Sequence, residues 1–100
     1  MTTNKPWHGV LTATALPFKS DLSVDYDKYA DHIKWQAANG VHGAIPNGSL
    51  GEYQVLTPEE RSKVLKTALD AAPAGFSVVP GVAAYGAAES CRWTEQAAQM

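Results

Sequence analysis

Three stretches along the chain are apolar or β-prone without a polar residue at every second position: "GVLTATAL" at 9–16, "HGAI" at 42–45 and "FSVVPG" at 76–81. A strand with one wet face alternates, whereas a strand covered on both sides reads as a continuous run. The pattern predicts strands near 9–16, 42–45 and 76–79, buried on both faces of a parallel sheet. Between them the period changes from two to three and four. Tyr26, Tyr29, Ala30, Ile33 and Ala37 fall on one side of a helix, with Asp27, Lys28, Asp31 and Lys34 on its wet side. Asp25 is placed to cap that helix, Val24 and Tyr29 to staple its start, and Asn39-Gly40 to end it.

A second helix is announced by "TPEE". Thr57 stands at the cap, Pro58 at the first helical position, and Glu60 completes a capping box. Its apolar side is Val64, Leu65, Ala68, Leu69 and Ala72, Glu59 and Lys63 are spaced as a surface ion pair, and Pro73 and Gly75 stop it. The closing residues, "SCRWTEQAAQM", read as a third helix that no glycine, proline or cap ends. The expectation is a segment truncated in its third helix, with residues 1–100 forming the N-terminal part of one domain.

The resulting order is strand, helix, strand, helix, strand, helix. The strands start near Gly9, His42 and Phe76, steps of 33 and 34 residues. A (β/α)8 barrel of roughly 250 residues averages about 31 per unit. An open doubly wound sheet fits the spacing almost as well, so periodicity leaves both architectures standing.

Composition narrows the classes without choosing among them. Hydrophobic residues make up 45% and charged residues 18%, which fits a folded domain rather than a disordered chain. A net charge of −2 gives no reason to expect nucleic acid or an anionic membrane as partner. No apolar run approaches the ~20 residues of a membrane span, and "MTTNKPWHG" lacks the apolar core of a secretory signal. Cys91 is the single cysteine, expected to be a small packed residue in a reducing cytoplasm. His8, His32 and His42 lack metal-ligand spacing, so no metal is expected. Trp7, Trp35 and Trp93 are expected to pack rather than to bind.

The chemistry concentrates in "NGSLGEY", residues 47–53, between the second strand and the cap of the second helix. A βα loop at the carboxyl end of a strand lies on the ligand face of either architecture. Phosphate fits badly. Gly48 and Gly51 have two residues between them rather than the four of a Walker loop, and Glu52 brings negative charge. A small carboxylate fits better, because Gly48 allows close backbone approach, Ser49 offers a hydroxyl, and the N–H groups of Ser49 and Leu50 can converge as donors. The bare window by itself reads more readily as a tight turn that Gly48 and Gly51 serve, with Gly51 and Glu52 supporting the loop: Ser49 caps its own backbone and the Glu52 carboxylate holds neighbouring N–H groups. Tyr53 suits the pocket, an interface or the core. "AAYGAAES" around Tyr85 is a second and weaker loop candidate.

Four segments carry a family resemblance: "GVLTATALPF", "DLSVDYDKY", "ANGVHGAIPNGSLGEYQVLTPEER" and "VVPGV". The sequence resembles the dihydrodipicolinate synthase/N-acetylneuraminate lyase family of class I lyases over nearly all of the chain after the first eight residues. The Gly-Ser-x-Gly-Glu core and its spacing to Thr-Pro-Glu-Glu-Arg are the most specific part. The resemblance implies a (β/α)8 barrel of which this chain is the first three βα units. It implies that Gly48, Ser49 and the backbone at Leu50 bind the carboxylate of pyruvate or a related 2-oxo acid. It also implies a lysine that forms a Schiff base with the keto carbon and a proton-shuttling tyrosine, both outside these 100 residues, with no cofactor and a homo-oligomer, dimer or tetramer. Many members carry a second hydroxyl residue where this chain has Leu50, joined in the synthases to a proton relay. Leucine cannot hydrogen-bond, which shifts the expectation from synthase towards aldolase or dehydratase. A non-catalytic small-acid-binding barrel and an open α/β domain for a phosphorylated ligand are the other readings.

Overall fold

The computed structural model describes residue 5 and residues 7–100. Its elements are β1 (Leu11–Thr12), α1 (Tyr26–Ala38), β2 (Gly43–Ala44), a 3-10 turn (Tyr53–Val55), α2 (Pro58–Ala71), β3 (Ser77–Val78) and α3 (Ala87–Gln99). The three strands are parallel, hydrogen-bonded in the order β1-β2-β3, with Leu11, Gly43 and Ser77 in one row and Thr12, Ala44 and Val78 in the next. Neighbouring strands in chain order follow from consecutive right-handed βα crossovers.

Both helix starts form as their sequences dictate. The Lys28 N–H donates to Asp25 Oδ1 at 3.0 Å, and Val24 and Tyr29 are both buried in the core. At the far end the Gly40 N–H reaches Ala37 O and the Val41 N–H reaches Gln36 O, with Gly40 at φ +88°. That is the paired ending which a glycine after the cap permits without Cβ strain. In α2 the Glu60 N–H donates to Thr57 Oγ1 at 3.1 Å while the Thr57 N–H donates to Glu60 Oε1 at 2.8 Å.

The row Thr12, Ala44, Val78 faces the helices. Ala44 packs with Leu16, Val24, Tyr29, Ile33, Val64, Ala68 and Ala71, and the Thr12 hydroxyl donates to Gln36 Oε1 on α1. The row Leu11, Gly43, Ser77 points the other way. Gly43 is required there, since a Cβ would lie 2.5 Å from Leu11 Cδ2 and 2.5 Å from the Ser77 carbonyl oxygen.

Several expectations are corrected. Only β2 is buried on both faces; β1 and β3 are half-buried, because they are the two edges and the helices cover one face. The β1 ladder is shorter than 9–16. It ends with the Ile45 N–H on Thr12 O, since the next donor in line is Asn47, whose left-handed backbone leaves the ladder. Leu69 is exposed, and the α2 stripe instead runs through Arg61, Val64, Leu65, Ala68 and Ala71. Glu59 and Lys63 form no ion pair. The Lys63 ammonium lies 4.3 Å from the centre of the Tyr26 ring, and the surface pair on α2 is Lys66–Asp70 at 3.0 Å. Cys91 is exposed rather than packed, because α3 buries none of its residues fully. Trp7 and Trp35 are also exposed, Trp35 stacking on His32 at the surface of α1, while Trp93 is half-buried. Among the described residues no helix is long and apolar enough to cross a membrane.

Candidate functional site

The loop leaving β2 is organised around Asn47. This residue is buried and sits at φ +61°, a region that asparagine tolerates better than most side chains. Its Nδ2 donates to the Arg61 carbonyl oxygen at 3.0 Å. A carbonyl can only accept, so the amide must present its NH2 group there, which fixes its orientation. From the neighbouring loop the Gly81 N–H donates to Pro46 O at 2.8 Å.

The remaining residues curl outward from this hub. Gly48 is half-buried, and a Cβ on it would meet nothing within 4 Å, so its bareness leaves open space on the loop. Gly51 has the opposite role. It is buried, and a Cβ on it would come within 3.1 Å of Asn47 N as the loop folds back. The Glu52 N–H donates to Ser49 O at 3.1 Å, so the turn is closed by main-chain atoms. Ser49 is exposed and its hydroxyl has no hydrogen-bond partner among the described residues. The N–H groups of Ser49 and Leu50 likewise donate to no main-chain carbonyl there. Leu50 is 62% exposed.

Glu52 departs from its expected supporting role. It adopts φ +60°, is exposed, and its side chain caps nothing; the geometry of its backbone, not its carboxylate, shapes the turn. Tyr53 begins the 3-10 turn and is half-buried.

Arg61 was not singled out by sequence reasoning. It is 5% exposed, with its guanidinium 5.1 Å from the centre of the Tyr53 ring and 4.4 Å from that of Trp93. Its Nη2 donates to Gly81 O at 3.1 Å, while its buried Nε has no partner. Burial lowers its pKa, opposed by the nearby Tyr53 and Glu89. A guanidinium keeps its charge through such a shift, so a cation stands between two aromatic faces. The signal for it was present. Position 61 lies on the stripe that 64, 65 and 68 continue, and a charged residue on an apolar stripe marks a buried role.

A cleft of about 510 Å³ opens beside the 3-10 turn, lined among others by Tyr53, Arg61, Tyr85, Glu89 and Trp93. Ser49 and Leu50 do not line it. The second loop candidate, around Tyr85, therefore borders this cleft, and Tyr85 itself is 90% exposed.

Comparison with known proteins places this geometry. An uncharacterised DapA-like lyase of Halobacterium salinarum is 36% identical over 93 residues, which is 93% of this chain and 31% of that protein. The 4-hydroxy-tetrahydrodipicolinate synthase of Maridesulfovibrio salexigens is 32% identical over 93 residues, 93% of this chain and 32% of its own length. The chain thus spans about a third of the curated relatives it matches. Among solved structures, dihydrodipicolinate synthase from Aquifex aeolicus superposes with a TM-score of 0.85 at 30% identity, covering 91% of this chain and 31% of that one. N-acetylneuraminate lyase of Proteus mirabilis superposes at 0.81 and 30% identity, over 89% of this chain and 30% of the other. With residues 6–100 also matching the description of the dihydrodipicolinate synthetase family, the fold and the glycine loop have one common explanation: the chain belongs to that family of lyases.

Proposed function

We propose that this chain is the opening three βα units of a (β/α)8 barrel lyase that makes or breaks a carbon–carbon bond, or dehydrates, a 2-oxo acid such as pyruvate. In this reading Ser49 and the Leu50 N–H anchor the substrate carboxylate. A lysine contributed beyond residue 100 attacks the keto carbon and expels water, and the resulting iminium draws electrons from the bond that reacts. The observation that carries the reading is the free hydroxyl of Ser49, exposed at the carboxyl end of β2 next to two main-chain N–H groups that the turn does not use. Three unspent donors on one open loop suit an anion better than they suit a turn. Leu50 offers no hydroxyl for a proton relay, which favours aldolase or dehydratase chemistry over synthase chemistry. A cytoplasmic homo-oligomer without metal or cofactor belongs to the same proposal.

The test is Ser49→Ala in the full-length protein. Losing a hydroxyl bond to a charged acceptor is worth roughly 1.5–3 kcal/mol, about one to two decades in kcat/KM. An unchanged kcat/KM for the 2-oxo acid would assign the hydroxyl no part in binding. Absence of any lyase turnover, with 2-oxo acid binding retained, would favour a non-catalytic small-acid-binding barrel.

A further inference from the structure

We propose that Asn47 and Arg61 are positioning residues for the substrate-anchoring loop, coupling it to the neighbouring β3–α3 loop through Gly81. The inference rests on the carboxylate reading of Ser49 and assigns work to two side chains that reading leaves idle.

Four contacts converge on Pro46 and Asn47 just before Ser49, one through the Asn47 side chain and three through the main chain. Asn47 Nδ2 holds the Arg61 carbonyl on the first turn of α2, at 3.0 Å. The Gly81 N–H holds Pro46 O at 2.8 Å. Gly81 lies against the Asn47 carbonyl so closely that a Cβ would be 2.4 Å from its oxygen. Gly51 folds back over Asn47 N with similar closeness, a Cβ being 3.1 Å away. The residue that takes the left-handed turn is thus held through its Nδ2 and hemmed in along its main chain, its buried Oδ1 having no partner among the described residues, while Gly48 and Ser49 beyond it face open space.

Arg61 closes the circuit. Its main chain receives Asn47 while its side chain, clasped by Tyr53 and Trp93, donates from Nη2 to Gly81 O. One residue of α2 therefore grips both loops, one with its backbone and one with its guanidinium. An exposed hydroxyl on a two-glycine turn has many orientations open to it. A buried, doubly tied hub removes most of them before the substrate arrives, which is the part of binding energy that preorganisation supplies.

Neither side chain touches the anchored carboxylate in this scheme, so the signature is a change in KM rather than in chemistry. Asn47→Gly is the informative variant, because glycine accepts φ +61° without strain, so that what is lost is the buried side chain with its bond to the Arg61 carbonyl. Arg61→Lys keeps the charge and most of the stem but loses the planar fork. In the full-length protein each should raise KM for the 2-oxo acid about three- to tenfold, the scale of one ordinary hydrogen bond, with kcat nearly unchanged. KM is read well below each variant's melting midpoint, so that partial unfolding does not enter.

The double variant with Ser49→Ala separates the two levels of the argument. If Asn47 acts through the anchoring loop, Asn47→Gly should change KM less than about twofold once Ser49 is already alanine. An unchanged KM in both single variants, or, where Ser49→Ala by itself raises KM, the same fold-change with and without Ser49, overturns the positioning role and leaves a purely structural one. A silent Ser49→Ala beside a raised KM in Asn47→Gly overturns the hydroxyl reading alone, leaving the loop positioned for its main-chain donors. If Asn47→Gly does not fold, Arg61→Lys carries the same cycle and decides by the same outcomes.

Discussion

A single methyl group at Gly81 should disturb substrate binding from a loop that does not carry Ser49. Gly81 is not in the left-handed region, so alanine there meets no backbone strain and the effect is steric alone. Its Cβ would stand 2.4 Å from the Asn47 oxygen, 2.9 Å from its carbonyl carbon and 3.3 Å from Gly48 N, all backbone atoms with no rotamer to yield. Relieving the closest contact to 3.0 Å moves the two loops apart by about 0.6 Å. The bonds of 2.8 Å from Gly81 N to Pro46 O and 3.1 Å from Arg61 Nη2 to Gly81 O lie across the same gap and lengthen with it. Overpacking of this kind costs about 1–3 kcal/mol, or ~2–4 °C of melting temperature per kcal/mol in a domain of barrel size. Displacing a binding group by about 1 Å can cost a hundredfold in rate, so a shift of this size predicts roughly a tenfold loss in kcat/KM, mostly through KM. Thermal melts and steady-state kinetics on Gly81→Ala in the full-length protein measure both. A variant with unchanged Tm and unchanged KM would show that the loops do not press on each other, and the coupling argument would fail with it.

Further outcomes follow from other sites. Tyr29 is 1% exposed and its hydroxyl has no hydrogen-bond partner among the described residues, so Tyr29→Phe should be neutral or stabilising by up to about 1 kcal/mol at neutral pH. Burial raises the Tyr29 pKa above its ordinary 10.0; this contribution is complete below that value and is lost as pH rises through the folded one, so denaturant titrations above pH 10 should penalise the wild type more than Tyr29→Phe. Equal alkaline losses would mean that the phenol is not the group responsible. Thr57→Ala removes one arm of the capping box and should lower stability by about 1 kcal/mol, seen as a lower denaturant midpoint at constant slope; an unchanged midpoint would mean the cap is replaced by solvent. Leu50→Thr should raise synthase-type side activity, whereas high synthase activity of the wild type would show that the leucine is no obstacle. Borohydride reduction of the 100-residue chain with pyruvate should label none of Lys5, Lys19, Lys28, Lys34, Lys63 or Lys66, all exposed and so poor nucleophiles near neutrality; stoichiometric labelling of any of them, found by mass spectrometry, would relocate the reactive amine.

The helices were legible in the sequence because their information is local. A capping box, a staple and a glycine ending each span a few residues, and all formed as written. The strands were legible in number and order but not in burial, because which faces are covered depends on a strand's place in the sheet, and β1 and β3 stand at its two edges. Side-chain pairing was misread where two partners competed. Lys63 had Glu59 four residues before it, yet the Tyr26 face on another helix drew it away. In the loop, the glycines announced a special backbone, but their division of labour was invisible: Gly48 leaves space and Gly51 fills a tight contact. Asn47 and Arg61 passed as ordinary members of a motif because their roles depend on Gly81, which joins them only in three dimensions.

The buried amide of Asn47 has a consequence for how the protein ages. Asparagine followed by glycine is the pair most prone to lose ammonia, through attack of the glycine nitrogen on the side-chain carbonyl to give a succinimide. The chain contains two such pairs, Asn39-Gly40 and Asn47-Gly48. Asn39 is exposed at the end of α1 and Asn47 is buried; the amide of each donates to a main-chain carbonyl, Trp35 O and Arg61 O respectively, so burial is what sets them apart. Asn39 should therefore deamidate on storage while Asn47 stays intact, until the loop opens locally. Peptide mapping of aged protein would turn the second site into a slow chemical clock for loop opening, with the first as its internal standard.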